Sequence, residues 1–236
     1  CWVRGRGYSI FIHNLLDEGQ HRLQIQIDGN PASARPPVQA DLTCSHDLST
    51  IQPLDVVLPV GANRGMYTHK VALPLEGTLQ VGEQTCQIDP EHGLAILDIH
   101  HATYPRHTWW RWATCAGRDA DGRMVALNLT RNVNLDDAAL NENALWLDGQ
   151  LQHLGPARFE FDRKRVLEPW RLGTARGEVD LVFTPQGERS EDLNLGLVRS
   201  VFHQPYGTFS GVVHWGGETI TVDHLFGVCE DHDALW

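Results

Sequence analysis

No apolar run in this chain approaches the roughly 18 residues that a membrane-spanning helix needs, so no membrane span is expected. Cysteine is sparse: Cys1, Cys44, Cys86, Cys115 and Cys229 are odd in number, scattered, and form no C-x-x-C pair. That pattern argues against a zinc knuckle and fits reduced thiols in a cytoplasmic protein. Positive charge is also short, with 19 Lys and Arg against 30 Asp and Glu and a net charge of −11. A nucleic-acid or anionic-lipid partner rewards the opposite sign. There is no Gly-rich phosphate loop, no G-x-S-x-G, no Ser-His-Asp ordering and no H-E-x-x-H; Arg4-Gly5-Arg6-Gly7 lacks the strand-turn-helix setting of a phosphate site. The sequon at Asn128-Leu129-Thr130 carries no meaning without a secretion signal.

Helical periodicity is the largest absence. Residues 135–140 could make one turn and little else. What remains reads as strands and turns. Residues 8–13 and 22–27 alternate apolar with polar, and further strand patterns fall at 38–43, 54–58, 70–73, 77–82, 85–88 and 124–129. The second half adds 143–147, 150–154, 158–161, 178–183, 195–202, 208–215 and 218–222. Asp148-Gly149 and Gly216-Gly217 are hairpin turns, and His203-Gln204-Pro205-Tyr206-Gly207 reads as a link between two strands or as a polar ligand wall. With 236 residues, 42% of them hydrophobic, the chain is expected to be all-β, as two antiparallel barrel or sandwich units spanning residues 1–140 and 141–236.

Two apolar strands end in the same polar signature. Gly93-Leu-Ala-Ile-Leu-Asp98-Ile-His100-His101 precedes Tyr104 and the Trp109-Trp110-Arg111-Trp112 cluster; Leu225-Phe226-Gly227-Val228-Cys229-Glu230-Asp231-His232 closes the chain. Each follows a Gly-bounded hairpin, at Gly77 and Gly211, which suggests an internal repeat. Ionisable groups at the end of an apolar strand are costly unless paired or functional. A carboxyl at Asp98 enclosed by indoles would lose hydration, rise in pKa and donate a proton, with His100 as relay. The plainer reading has Asp98 capping a turn or pairing with Arg106 or Arg111. A metal reading would use His100, His101 and His107 with Asp98 or Glu142, although adjacent strand residues face opposite ways. Asn141-Glu142-Asn143 reads as a turn, or as a device that brings Glu142 to a pocket mouth. The eight tryptophans suit a core or an aromatic-lined cavity.

The blocks Tyr67-Thr-His69-Lys-Val-Ala-Leu-Pro-Leu-Glu-Gly77, Leu97-Asp98, Trp110-Arg-Trp112, Asn141-Glu142-Asn143, Glu168-Pro169-Trp170, Gln204-Pro-Tyr-Gly207 and Gly227 to Trp236 resemble a bacterial family catalogued as domain of unknown function 2804. The match runs over roughly residues 54–236, and members usually carry a further N-terminal segment, so Cys1 is read as a truncation point; a processed lipoprotein cysteine is the lesser alternative. More distantly, the order of motifs is similar to carotenoid 1,2-hydratases and related two-domain lipocalin-like proteins. That resemblance implies two calycin-like units, the first possibly incomplete, around a deep apolar cavity. It also implies an acid at Asp98, a Trp-x-Trp pair at Trp110 and Trp112, a late glutamate at Glu230 and a polar group near His69. Ile99-His100-His101-Ala102 departs from the Gly-rich segment usual in the nearer family, and Arg111 from an acidic or amide residue.

The resulting expectation is a cofactor-free acid–base catalyst, of hydratase, isomerase or cyclase type, acting on an apolar or semi-polar small molecule. Asp98 and His100 are the catalytic candidates; Tyr67, His69, Tyr104, Trp110, Trp112, Glu142, Tyr206 and Glu230 are the substrate-binding candidates. The alternative is a non-enzymatic carrier of an apolar ligand in the same cavity, and a metal-dependent lyase comes third.

Overall fold

The computed structural model describes residues 1–131 and 136–235. Leu135, the first residue of the expected helical turn, and Trp236 lie outside the described residues. Strands in chain order are β1 (Trp2–Gly5), β2 (Tyr8–Leu15), β3 (Gln20–Ile27), β4 (Val38–Ser45), β5 (Leu54–Gly61), β6 (Arg64–Val81), β7 (Gln84–Ile88), β8 (Leu94–Ala102) and β9 (His107–Arg118). They continue with β10 (Met124–Arg131), β11 (Ala144–Leu147), β12 (Gln150–His153), β13 (Ala157–Glu160), β14 (Trp170–Thr174), β15 (Val179–Asn194), β16 (Arg199–Trp215) and β17 (Glu218–Leu235). Among the described residues a single 3₁₀ turn at Pro31–Ser33 is the sole helical element.

The protein is therefore all-β, in two curled antiparallel sheets, as two lipocalin-like units require. It divides into two compact units, one of residues 1–51 and 72–96, the other of residues 52–71 and 97–236. In the first, β1 to β4 pair in order and β4 pairs with the later part of β6, which β7 flanks. In the second, β5 pairs with the earlier part of β6, and nine strands form a sheet in the order β12-β11-β10-β9-β17-β16-β15-β14-β13.

Several strands are longer than the sequence pattern suggests. Residues 70–73 and 77–82 belong to the one strand β6, and His203–Gly207 lies inside β16 and is no link at all. The residues that look like breaks act as bends. Gly77 and Gly211 adopt φ of +137° and +142°, and a Cβ there would sit 2.1 and 2.3 Å from the facing carbonyl oxygens of Asp41 and Asp180. Only glycine permits both that φ and that approach, so the strand bends without ending. The shared backbone signature supports the internal repeat. Residues 195–198 go the other way: Leu195 N donates to Val198 O in a turn, and β16 starts only at Arg199. Asp148 and Gly149, both at positive φ, make the expected tight hairpin between β11 and β12.

Strand alternation sorts the second unit's side chains. One face of β9, β10 and β17 sends Ala113, Cys115, Val125, Leu127, Leu129 and Cys229 into a core completed by Leu145, Trp170, Leu181, Phe183 and Phe209. Each valine, leucine or phenylalanine side chain among them, fully withdrawn from water, contributes about 1.5–3 kcal/mol. The opposite face carries Trp110, Trp112, Asn128, Thr130 and Glu230, and these build the site described next.

Candidate active site

Three neighbouring strands set one wall. Trp112 of β9 faces Thr130 of β10 on one side and Glu230 of β17 on the other, while Trp110 faces His232. β6 and β8 supply the chemistry. They pair, with Thr103 N donating to Gly65 O, and the pairing brings Lys70 and Asp98 together. The result is a cleft of about 180 Å³ lined by Lys70, Asp98, His100, Tyr104, Trp110, Trp112, Thr130, Glu142 and Glu230.

Lys70 is the hub. Its side chain is only 1% exposed, and its Nζ lies 3.0 Å from Asp98 Oδ2 and 3.3 Å from Glu142 Oε2. It also donates to Asn128 Oδ1 at 3.1 Å and sits 5.6 Å from the centre of the Trp112 ring. Asn128 in turn accepts from Trp112 Nε1 at 2.8 Å and donates to the carbonyl of Glu142 at 2.7 Å. A lone buried ammonium would cost several kcal/mol; two carboxylates, an amide oxygen and an indole face offset that. The sequon asparagine is thus wholly buried and acts as a spacer.

His100 completes the group. Its Nε2 lies 2.8 Å from Asp98 Oδ1 and 3.8 Å from Glu142 Oε2. Burial pushes the Asp98 carboxyl up, but the His100 hydrogen bond and the charges of Lys70 and His100 outweigh it, holding the group below the usual aspartate range. This corrects the expectation of a neutral, proton-donating Asp98, and neither Arg106 nor Arg111 is its partner. A carboxyl whose folded-state pKa is depressed contributes stability that is complete above its unfolded value, near 3.8, and lost as pH falls through the lower folded value. Asp98→Asn is therefore expected to lower the melting temperature at pH 7, with the gap to wild type closing below about pH 4. A pH-independent gap in a pair of thermal melts would contradict the ion pairing.

Tyr104 roofs the cleft, stacked 6.1 Å from Trp110, with its hydroxyl 3.4 Å from Met66 Sδ. Burial, then the charges of Glu142 and Asp98, push its phenol up to about 12, so it stays an O–H donor at neutral pH. A thioether is a weak acceptor, and the hydroxyl can turn to a better one. Glu230 accepts from Trp110 Nε1 at 2.8 Å and from Gln204 Nε2 at 2.7 Å. Glu142 is 2% exposed, and Asn141 Oδ1 accepts from Asn143 N at 2.9 Å. The Asn-Glu-Asn triplet is at once the turn and the device that delivers a carboxylate.

Of the ten site residues expected from sequence, Asp98, His100, Tyr104, Trp110, Trp112, Glu142 and Glu230 line this cleft. Three do not. Tyr67 donates to Asp55 Oδ1 at 2.7 Å and His69 Nδ1 lies 2.9 Å from the same oxygen, a cluster of its own on β5 and β6. Tyr206 is 44% exposed and faces Phe226. Lys70, Asn128 and Thr130 were missed. The period-2 rule was the available signal for Lys70: on a strand, Lys70 points opposite to His69, so a functional face contains one or the other. The histidines of the metal reading disperse, since His101 stacks on Tyr67 and His107 pairs with Asp233 at 3.2 Å. Six of the nine lining residues are ionisable, so the cleft pairs charged groups with the aromatic surface of Trp110 and Trp112.

Comparison with known proteins gives one family and one fold likeness. The sequence model of a family described as a domain of unknown function, DUF2804, matches residues 3–236. No curated protein matches the chain. Among solved structures it is similar to kievitone hydratase from Nectria haematococca, at 13% identity over 95% of this chain and 87% of that one, with a TM-score of 0.40. No helix among the described residues is long and apolar enough to cross a membrane.

Proposed function

Because this chain belongs to the DUF2804 family, its chemistry has to be read from its own side chains, and we propose that it is an acid–base catalyst acting on a small molecule, of hydratase, isomerase or cyclase type. The observation that carries this reading is the buried ion group: a lysine bridging two carboxylates, one of which also holds an imidazole at 2.8 Å, under an aromatic roof. In this reading His100 carries the proton. Asp98 is the anion that orients its ring, and Glu142, within 3.8 Å of the same nitrogen, is the second carboxylate available to exchange it. The Tyr104 hydroxyl, with the buried charge of Lys70 behind it, supplies the electrophilic side, where a substrate oxygen gains negative charge. Trp110 and Trp112 exclude water and offer an apolar surface beside the charged end.

The volume favours a modest ligand, or the reacting end of a longer one. Pockets that enclose whole drug-sized ligands run to several hundred Å³; this one is about 180 Å³. For the same reason the charged cleft suits proton transfer better than the storage of a greasy molecule, although the ion-paired Asp98 is the property a mere carrier would also have.

The test is a panel of enones, allylic alcohols and prenyl-bearing phenols incubated in D₂O and followed by mass spectrometry for deuterium uptake or for gain or loss of water. His100→Asn is expected to reduce turnover of the responding compound by about 10²–10⁴-fold with the fold intact. Unchanged turnover in that variant sinks the assignment. Binding without any turnover across the panel supports the carrier reading instead.

A further inference from the structure

We infer that Ser200, His232 and Glu230 form a second catalytic group, a serine nucleophile with its base and orienting acid, that takes small uncharged carboxylic esters. This goes beyond the proton-transfer reading and stands whether or not that reading holds. β16 and β17 place the three on one face: Phe202 faces His232 and Ser200 faces Ala234, so Ser200 and His232 are diagonal neighbours. Ser200 Oγ lies 3.0 Å from His232 Nε2. The other ring nitrogen, Nδ1, lies 3.5 Å from Glu230 Oε1. This is the order that an activated serine needs, one nitrogen to the hydroxyl and the other to a carboxylate.

The surroundings hold that order. Both oxygens of Glu230 are engaged by N–H donors, from Trp110 and from Gln204, which fixes the carboxylate's orientation. The imidazole is wedged between rings, 4.2 Å from Trp110 and 5.6 Å from Phe202. Glu230 and His232 are also largely withdrawn from solvent, with side chains 12% and 14% exposed, which strengthens their interaction. Arg189, opposite Gln204 on β15, rests its guanidinium 5.4 Å from the Phe202 ring and covers the other side of that wall. Sequence motifs miss the arrangement because the serine sits inside a strand without a nucleophile elbow, although the chain order Ser, Glu, His is one that serine hydrolases use.

The reaction would run in two steps. Ser200 Oγ adds to the ester carbonyl while its proton passes to His232 Nε2; the carbonyl carbon–alkoxy bond then breaks and the alcohol leaves with that proton. Water next adds to the acyl-serine, giving up a proton to His232. The bond to Ser200 Oγ breaks, the serine takes back the proton, and the carboxylic acid departs.

A fluorophosphonate probe reads this directly, because an activated serine displaces fluoride and forms a stable bond to phosphorus. The whole chain is expected to be modified at Ser200, as identified by peptide mass spectrometry, and Ser200→Ala is expected to abolish the adduct. His232→Asn should slow labelling by on the order of 100-fold. Glu230→Gln, a smaller change, should slow it by at least about tenfold and serves should the histidine variant fail to fold. Hydrolysis of 4-nitrophenyl acetate is expected to fall in the same order. An unlabelled Ser200, or labelling at the wild-type rate in a folded His232 or Glu230 variant, overturns the inference.

Discussion

Replacing Lys70 with methionine is expected to destabilise the second unit by about 3–5 kcal/mol, far more than an exposed lysine would. The side chain is 1% exposed and its Nζ lies within 3.3 Å of Asp98 and Glu142, so methionine fills the space but strands two carboxylates against each other. Glu142, 2% exposed, is poorly placed to be rehydrated. The fall in melting temperature should be on the order of 10 °C at pH 7 and should shrink in acid, where the stranded carboxylates can take up protons. Adding Glu142→Gln to Lys70→Met should restore part of the loss, because one of the two uncompensated charges is gone. Chemical denaturation of the wild type and the two variants checks this; a loss under about 1 kcal/mol for Lys70→Met would mean that the ion group is not structural.

The second large effect is expected one residue from the site and on the other side of the sheet. Asp231 is 2% exposed and ion-paired with Arg111 Nε and Arg163 Nε, each at 2.6 Å. Arg111 lies over the Trp109 ring at 4.3 Å; burial, and the neighbouring charges of Arg163 and Arg131, push its pKa down against the pull of Asp231. Asp231→Ala removes the anion that compensates this guanidinium, and a loss of about 3–5 kcal/mol is expected. Arg163→Ala, on a side chain 54% exposed, should cost no more than about 1 kcal/mol. Equal losses from the two variants in urea titrations would contradict this picture. Since Glu230 and Asp231 point to opposite faces, the Asp231 variant tests the barrel and the Glu230 variant tests the site.

The legible parts of the chain were those with local causes. Asp148-Gly149 makes its hairpin because both residues tolerate positive φ. The two carboxylate-x-His endings are visible because an i, i+2 pair on a strand must share a face, and Asp98 with His100 does. His203–Gly207 misled because glycine and proline usually punctuate strands, whereas here Pro205 and Gly207 sit within a paired strand. Asp98 misled for a different reason. Its desolvation was foreseeable from the indoles around it, and His100 lies two residues on, but Lys70, which joins His100 in outweighing burial, comes from β6, 28 residues earlier, and only strand pairing brings it there.

By itself, then, the sequence determined the strand content, the turns, the faces of each strand and a family membership, since all of these depend on neighbours within a few residues or on the residues themselves. Tertiary structure decided which faces meet. It set Lys70 between Asp98 and Glu142, left Tyr67 and His69 with Asp55 instead, and joined Ser200 to His232. Electrostatic character is a sum over groups gathered from distant parts of the chain, so the charge state of a buried carboxyl follows from its assembled neighbours and not from the local spacing.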